Sequence, residues 1–208
     1  VALISRASDA STALRIAAKH RRPVVPRGSG TGLSGGAVLT RGGLALTFSK
    51  MRGIATIDAA NLRATVEPGV INLDVSRAVA PHGLYFAPDP SSQAACSIGG
   101  NIAENAGGAH CLAYGVTTNH VTGLACILAD GTSLDTGTLS GANRAPDAPG
   151  YDLTGAIVGS EGTFAVVTRA NLRLMPVAEA VRTLLASFTS VDDASRATSG
   201  IIAAGIIP

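Results

Sequence analysis

The first residues with a clear chemical use are the glycines of "PRGSGTGLSGG", residues 26–36. Glycines reach positive φ without a steric penalty, so their amide N–H groups can converge into a concave nest that binds an anion. Because glycine has no Cβ, the backbone can also approach a ligand closely, and Arg27 adds a positive charge at the edge. The stretch predicts a pyrophosphate site made of main-chain amides; the alternative is a merely flexible loop.

Three common motifs match parts of this stretch but lack the context that they need. Walker A requires a second glycine followed by lysine, and Leu33 stands five residues after Gly28. G-x-G-x-x-G is satisfied from Gly30, and "GLSGG" satisfies the nucleophile elbow G-x-S-x-G, but a helix should follow each motif. The next residues, "GAVLTRGG", are too rich in glycine to open a helix. A Rossmann site and a serine hydrolase are therefore the weaker interpretations.

Two further glycine-rich stretches could contribute to the same site. "CSIGGNIAENAGG", residues 96–108, combines a glycine pair with polar asparagines at a short helix. "GSEGT", residues 159–163, places a glutamate between glycines just before a strand. Three such patches would be wasteful as flexible loops, so we expect them to converge on one large ligand with several polar groups.

The patches must be positioned by a mixture of helices, strands and hairpins. Helices are predicted at residues 8–19, 72–81, 101–105, 153–158 and 191–204. Strands are predicted at residues 24–26, 44–48, 54–58, 62–66 and 164–174, with a further hairpin around Asp130–Gly131 and a surface loop at 137–152. The order is not a βαβαβ series, so we expect an α+β fold rather than a doubly wound sheet.

Alternation along the last predicted strand assigns its two faces. The apolar face is expected to carry Phe164, Val166, Ala170, Leu172 and Leu174, and the polar face Arg169, Asn171 and Arg173.

Composition excludes several classes of function. Hydrophobic residues make up 46% of the 208 residues, enough for a substantial core. The net charge is +2 and no Lys/Arg run occurs, so we expect no nucleic-acid partner and at most a peripheral contact with membranes. Cys96, Cys111 and Cys126 show no C-x-x-C spacing, which favours small buried thiols in a reducing, cytoplasmic compartment over disulfides.

The four histidines give no metal-binding pattern, since no H-E-x-x-H or comparable spacing occurs. His110 follows the second glycine patch and could approach a ligand there, or could be an ordinary hydrogen-bonded or surface histidine. His20 and His82 are expected to be solvated at helix ends, and His120 is expected to open a strand.

Four motifs, taken in order, resemble the FAD-binding domain of the vanillyl-alcohol-oxidase type of flavoprotein, in particular its glycolate oxidase and D-lactate dehydrogenase branch. They are "VVPRGSGTGLSGG", "PDPSSQAACSIGGNIAENAGG", "YGVT" and "GSEGTFAVVTRANLRLMP". The resemblance implies a two-subdomain FAD-binding fold of the PCMH type with FAD held between the subdomains. These would be residues 1–70 and 71–208, the second of them cut at its C-terminal end.

The resemblance also implies the residues that contact FAD. They are Arg27, Gly28, Ser29, Gly30, Thr31 and Gly32 at the pyrophosphate; Pro88 and Asp89 beside the flavin; Ser97, Gly99, Gly100, Asn101, Asn105, Gly107 and Gly108 in the central loop; and Glu161, Gly162 and Val166 in the last patch. Some relatives attach FAD covalently through a histidine in the first glycine loop. Residues 27–32 contain none, so FAD is expected to be bound non-covalently.

The activity implied is oxidation of a 2-hydroxy acid of the glycolate or D-lactate class by hydride transfer to FAD. The base, the substrate contacts and any metal ligands would come from a cap domain that this chain lacks, so no catalytic residue is assigned, and partner redox subunits are possible. Two alternatives stay open: an NADPH-dependent reductase of related fold, and a non-catalytic scaffold.

Overall fold

The computed structural model describes residues 1–139 and 150–207. Most of the surface loop expected at 137–152 lies outside these residues, except for a 3₁₀ turn at Gly137–Leu139 and the residues from Gly150 onward.

The N-terminal part of the chain forms a small parallel sheet. Its strands are β1 (Ala2–Leu3), β2 (Val24–Arg27) and β3 (Leu44–Thr47), in the order β1-β3-β2. Helix α1 (Ala7–Lys19) begins where the Asp9 carboxylate accepts the Ser5 and Arg6 amides, and it buries Ala10, Leu14 and Ala17. The first glycine patch is the connection from β2 to β3, so its two ends are fixed by neighbouring strands.

A larger antiparallel sheet contains the other long strands. It consists of β4 (Ile54–Asp58), β5 (Arg63–Val66), β7 (Val121–Ile127), β8 (Ser133–Asp135) and β9 (Val166–Arg173), in the order β4-β5-β9-β7-β8. Both predicted hairpins are confirmed, and Gly131 takes a φ of +85° in the second turn. Since β5 pairs with β9, sheet pairing groups the first hairpin with the later part of the chain; the division near residue 70 stays a prediction.

The prediction for β9 was wrong at its first residue. Buried and exposed residues alternate from Val166 to Arg173 as expected, but Phe164 is 63% exposed. Glu161 and Gly162 have φ values of +53° and +74°, and the Thr163 amide donates to the Ser160 carbonyl. This tight turn delays regular pairing until Val166, so Phe164 precedes the strand and lies outside its alternation.

The helices follow the predictions except for the one in the second glycine patch and a short one after it. Helix α2 (Asn72–Val79) continues into a 3₁₀ turn that ends at Gly83, whose φ is +69°. Helix α3 spans Ile98–Glu104 rather than 101–105, because the Ser97 hydroxyl accepts the Gly100 amide as an N-cap. The remaining helices are α4 (Cys111–Tyr114), which was not predicted, α5 (Leu153–Ile157) and α6 (Val191–Ala203).

Two apolar clusters stabilise the fold. The larger lies between the five-stranded sheet and the helices α2, α3 and α5, and the short antiparallel pair β6 (Leu84–Tyr85) and β10 (Met175–Pro176) flanks it. The smaller joins α1 and the parallel sheet to Ile127 and Val166 of the larger sheet. The two sheets are therefore packed against each other through these side chains.

The cysteines are unpaired, as expected. Cys96 and Cys126 are buried and Cys111 is half-buried. Burial raises the pKa of the Cys126 thiol to about 12.

In the two described segments, no helix has both the length and the apolar character needed to cross a bilayer.

Candidate functional site

The three glycine patches meet at one crevice. The first patch contributes its backbone from Gly28 to Gly32 together with Gly36, and the third contributes Glu161. Between them lie side chains and backbone of the second patch, which are Ser97, Gly100, Asn101 and Glu104. The structure thus brings together segments that are widely separated in sequence, as the patterns predicted.

Bare backbone makes this meeting possible. A Cβ on Gly28 would overlap the Ser97 hydroxyl, and a Cβ on Gly162 would overlap the ring of Pro26. A Cβ on Gly99 would lie 2.8 Å from the Pro68 Cβ. Each patch therefore needs glycine at one position, because a residue of another patch, or Pro68 in the case of Gly99, lies too close to admit a side chain.

Main-chain hydrogen bonds fix the third patch to the second. The Gly159 amide donates to the Ile102 carbonyl at 2.8 Å, and the Glu161 amide donates to the Ala103 carbonyl at 2.9 Å. The last carbonyls of a helix have no partner within the helix, so α3 uses them to hold this loop. The non-glycine residue Glu161 keeps a left-handed φ of +53° there.

An apolar compartment adjoins the crevice. Its walls are the side chains of Phe48, Pro68, Ile102, Ile157 and Val166, and it shares Gly28 and Gly100 with the crevice. Sequence patterns missed Phe48, Pro68 and Ile157, because apolar residues that line a ligand site look the same in sequence as residues of the core.

One buried amide has a donor without a partner. Asn101 is 2% exposed and lines the crevice, yet its Nδ2 makes no hydrogen bond of normal geometry in the described part of the chain; the Cys96 thiol is its polar neighbour there. An unsatisfied buried donor costs about 1–3 kcal/mol. A ligand oxygen in the crevice would satisfy it, so this residue fits a bound dinucleotide.

The charges in the crevice are of both signs. The Arg27 guanidinium folds over Gly30, whose φ is +75°, and so lies above the first patch. The Glu104 carboxylate accepts the Ser34 hydroxyl at 3.2 Å, and the Glu161 carboxylate lies close to Gly36. Amides and a guanidinium suit a pyrophosphate, whereas carboxylates suit hydroxyl groups such as those of a ribose or ribityl chain.

Nine of the proposed contact residues do not line the crevice itself. Arg27, Gly99, Gly162 and Val166 line the adjoining apolar compartment instead, and the other five line neither. Pro88 and Asn105 have structural hydrogen bonds: the Pro88 carbonyl accepts from Asn72 Nδ2 at 3.0 Å, and Asn105 Oδ1 accepts from the Thr118 amide at 2.9 Å. The others are Asp89 and, on a second loop after α3, Gly107 and Gly108; Gly108 packs on the Asp89 backbone. Their contact with a cofactor stays a prediction.

His110 belongs to a small polar cluster in that loop. Its Nδ1 lies 2.6 Å from Asp89 Oδ2, and its ring is 6.3 Å from that of Tyr114. Burial, followed by a hydrogen bond to Tyr114, raises the pKa of the neighbouring Tyr85 to about 12. The structure thus fits the simpler interpretation, in which His110 is an exposed, hydrogen-bonded histidine.

The other histidines differ in one respect from expectation. His20 and His82 are exposed at helix ends, as predicted. His120 ends a 3₁₀ turn before β7 instead of opening the strand, and it is 3% exposed. Within residues 1–139 and 150–207, no three His, Cys, Asp or Glu side chains come together as metal ligands could.

Comparison with known proteins gives concordant results. The sequence profile of the family described as "FAD binding domain" matches residues 1–137. The chain is 51% identical over 200 residues to glycolate oxidase subunit GlcD of Bacillus subtilis, covering 96% of this chain and 42% of that protein. It is 47% identical over 208 residues to GlcD of Escherichia coli K12, covering 100% and 41%.

More distant relatives extend the same likeness. The D-lactate dehydrogenase of Archaeoglobus fulgidus is 40% identical over 190 residues, covering 91% of this chain and 42% of that protein. Among solved structures, alkyldihydroxyacetonephosphate synthase superposes with a TM-score of 0.80 at 19% identity, covering 99% of this chain and 40% of that one. This likeness in structure confirms the α+β fold that the sequence predicted.

The chain spans about 40% of the length of the curated relatives that it matches. The profile match covers well over half of the chain, and it includes the first two glycine patches completely. The chain therefore belongs to the FAD-binding domain family, and FAD is the cofactor of this domain.

Proposed function

We propose that this chain is the FAD-binding domain of a flavin-dependent oxidoreductase that oxidises a 2-hydroxy acid of the glycolate or D-lactate class. The observation that carries the proposal is the convergence of three glycine patches, with a buried unpartnered amide, on one crevice. The substrate class is supported by the relatives, which are named glycolate oxidase subunits and D-lactate dehydrogenases.

The crevice offers different chemistry to different parts of the cofactor. The amides from Gly28 to Gly32, with Arg27, would hold the pyrophosphate, and Asn101 would donate to an oxygen of the cofactor. The apolar compartment with Phe48 and Val166 would hold a flat ring system. Glu104 and Glu161 would accept hydrogen bonds from sugar or ribityl hydroxyls.

In this scheme the chain binds and orients, and FAD supplies the redox chemistry by accepting the hydride from C2 of the hydroxy acid. We propose that the base and the substrate-carboxylate contacts come from a cap domain outside these residues. We also propose partner redox subunits, since the GlcD relatives are named as subunits, and a cytoplasmic location, since all three cysteines are unpaired.

We propose that the attachment is non-covalent, because residues 27–32 contain no histidine and His110 is already hydrogen-bonded to Asp89. The purified chain is titrated with FAD while quenching of the flavin fluorescence is measured. Saturable binding is expected, and acid precipitation should leave the yellow colour in the supernatant. Flavin that stays with the denatured chain would refute reversible attachment.

The substrate class needs the full reading frame that encodes this chain. The flavoprotein is mixed without oxygen with glycolate, with D-lactate or with NADPH, and the absorbance of oxidised flavin is followed. Bleaching by a hydroxy acid alone is expected. Bleaching by NADPH alone would favour a reductase, and retention of the flavin without bleaching by any of the three would favour a scaffold.

A further inference from the structure

A second groove lies at the end of the five-stranded sheet. Its lining includes Leu62, Arg63, Tyr114, His120, Arg173 and Met175, and we refer to it as the Arg63–Arg173 groove. None of its lining residues lines the cofactor crevice or the apolar compartment. The groove therefore needs an explanation of its own.

Two arginines face each other across this groove. Arg63 on β5 and Arg173 on β9 are directly opposite in the antiparallel register. Like charges at directly opposed positions of a sheet are destabilising. In the described part of the chain, neither guanidinium has a carboxylate oxygen within 4.0 Å, the distance that defines an ion pair. The pair thus forms a concentrated positive charge without a direct counterion.

The nearest acidic neighbour is engaged elsewhere. Asp58 lies opposite Arg63 on the other side of β5. Its carboxylate accepts the Asn61 amide at 3.1 Å and Asn61 Nδ2 at 2.7 Å. These bonds, with a smaller contribution from Arg63, lower the pKa of Asp58, so it stays ionised but forms no ion pair with the arginines. The strand neighbour of Arg173 on β5 is Arg63, which carries the same charge.

His120 also lines the groove and, within the described segments, leaves one ring nitrogen without a partner, which a water or a ligand donor group would satisfy. It is 3% exposed, and its Nε2 donates to the Tyr114 carbonyl at 2.8 Å, because a carbonyl can only accept. Its Nδ1 has no partner among the described residues. A buried polar atom left unpaired costs free energy, and such atoms in native proteins are usually matched by a water or a ligand.

Part of the wall of the groove is apolar. Leu62 keeps a φ of +53°, a left-handed conformation that is uncommon for a residue with a bulky side chain. Its carbonyl accepts the Leu174 amide at 2.8 Å, and the Leu62 side chain remains 37% exposed. The left-handed φ is that of the last residue of the tight turn between β4 and β5, in which the Leu62 amide donates to the Ala59 carbonyl at 3.3 Å. With Met175, this residue offers an apolar surface beside the arginine pair.

We propose that the Arg63–Arg173 groove binds a small organic acid, whose carboxylate lies between the two guanidinium groups and whose apolar part contacts Leu62 and Met175. Guanidinium groups match the two oxygens of a carboxylate and form charge-assisted hydrogen bonds with them. This site is separate from the cofactor crevice, so it would be an additional binding site on the domain.

The test compares isobutyrate with isobutanol, which has the same branched carbon skeleton without the charge. Binding to the FAD-loaded chain is followed by backbone amide chemical shifts. We expect isobutyrate to shift residues of the groove and isobutanol to have little effect. Arg173→Gln should weaken isobutyrate binding by about tenfold, the equivalent of one lost charge-assisted hydrogen bond.

Arg169→Gln is the matched control, because Arg169 is an exposed arginine on the same face of β9 that does not line the groove. It should leave isobutyrate binding unchanged. Arg63→Gln provides a second variant should Arg173→Gln fold poorly. Independently of both variants, isobutyrate should change the chemical shifts of the His120 imidazole nitrogens in the unmutated chain.

The proposal also predicts the stability of the empty groove. At low salt and without organic acids, Arg173→Gln should unfold at the same or a higher temperature than the unmutated chain, since it removes the opposed charge. Equal binding of acid and alcohol, isobutyrate binding that survives both arginine substitutions, or tighter binding of inorganic phosphate would each overturn the assignment of a carboxylate site.

Discussion

Asn101 is a residue at which stability and cofactor binding should separate. Its buried Nδ2 has no partner in the described residues, so Asn101→Leu removes an unsatisfied donor from the protein without FAD. We expect thermal stability of the FAD-free chain to be kept, while the Kd for FAD rises about tenfold through loss of one hydrogen bond. Differential scanning fluorimetry and flavin fluorescence measure the two effects.

The matched control is Asn72→Leu. Asn72 is equally buried, but its Nδ2 donates to the Pro88 carbonyl, so this substitution should lower stability. If both substitutions lower stability alike and leave the Kd unchanged, Asn101 has no ligand to bind.

Gly30 tests the site of the pyrophosphate. Its φ is +75° and the Arg27 guanidinium covers it, so Gly30→Val should displace the arginine and close the nest. Gly35 has a φ of +80° with open space around it, so Gly35→Val imposes the same backbone strain without that collision. We expect Gly30→Val to lower the FAD affinity at least about tenfold, because the collision with Arg27 costs about 1–3 kcal/mol. Gly35→Val should lower it much less. Equal effects, read by fluorescence titration, would place the pyrophosphate elsewhere.

The three thiols should differ in reactivity. Cys96 is 3% and Cys126 is 1% exposed, and burial raises the pKa of both, to about 12 for Cys126. At pH 8 both therefore remain protonated, and protonated thiols are poor nucleophiles. Iodoacetamide followed by mass spectrometry should modify the half-buried Cys111 first, and Cys111→Ser should remove the fast phase. Rapid modification of Cys126 in the folded chain would contradict its burial.

At the scale of the elements, substitutions of Leu172 and Phe164 compare a residue inside β9 with a residue in the turn before it. Leu172 is fully buried at the centre of the larger sheet, whereas Phe164 is 63% exposed. We expect Leu172→Ala to cost about 3 kcal/mol of unfolding free energy, and Phe164→Ala less than about 1 kcal/mol. Urea denaturation measures both free energies of unfolding. A large loss of stability for Phe164→Ala would mean that Phe164 belongs to the buried face of the strand after all, as the alternation predicted.

Local patterns predicted those elements that local forces determine. Strand β9 and helix α2 follow from alternation and from end signals, and the structure has them close to the predicted bounds. Helix α3 was predicted too short, since Gly99 and Gly100 are poor helix formers. There the packing of bare backbone against Pro68 and the Ser97 cap outweigh propensity, and neither contact is visible in a local window.

For the molecule as a whole, the sequence predicted the polar part of the site better than the apolar part. Glycine, asparagine and arginine in dense clusters are unusual, so they indicated the crevice. Phe48 and Ile157 line the apolar compartment, but they resemble core residues. The Arg63–Arg173 groove depends on pairing between β5 and β9, which no motif indicates.

Cofactor binding should stabilise the whole chain, because the crevice is built from the first glycine patch, α3 and the turn before β9. A ligand that binds only the folded state adds about 2.7 kcal/mol at a free concentration of about 100 times its Kd. The unfolding temperature should therefore rise with FAD concentration, and adenosine alone should have a smaller effect. An unfolding temperature that is independent of FAD would show that the crevice does not hold it.

The turn at Glu161 is held by carbonyls of α3 and stands beside the loop that begins at Arg27. During synthesis, the ribosome must release the chain beyond Glu161 before these segments can meet, since contacts so distant in sequence form late. Nascent chains that stop short of this turn have no complete receptacle for the dinucleotide.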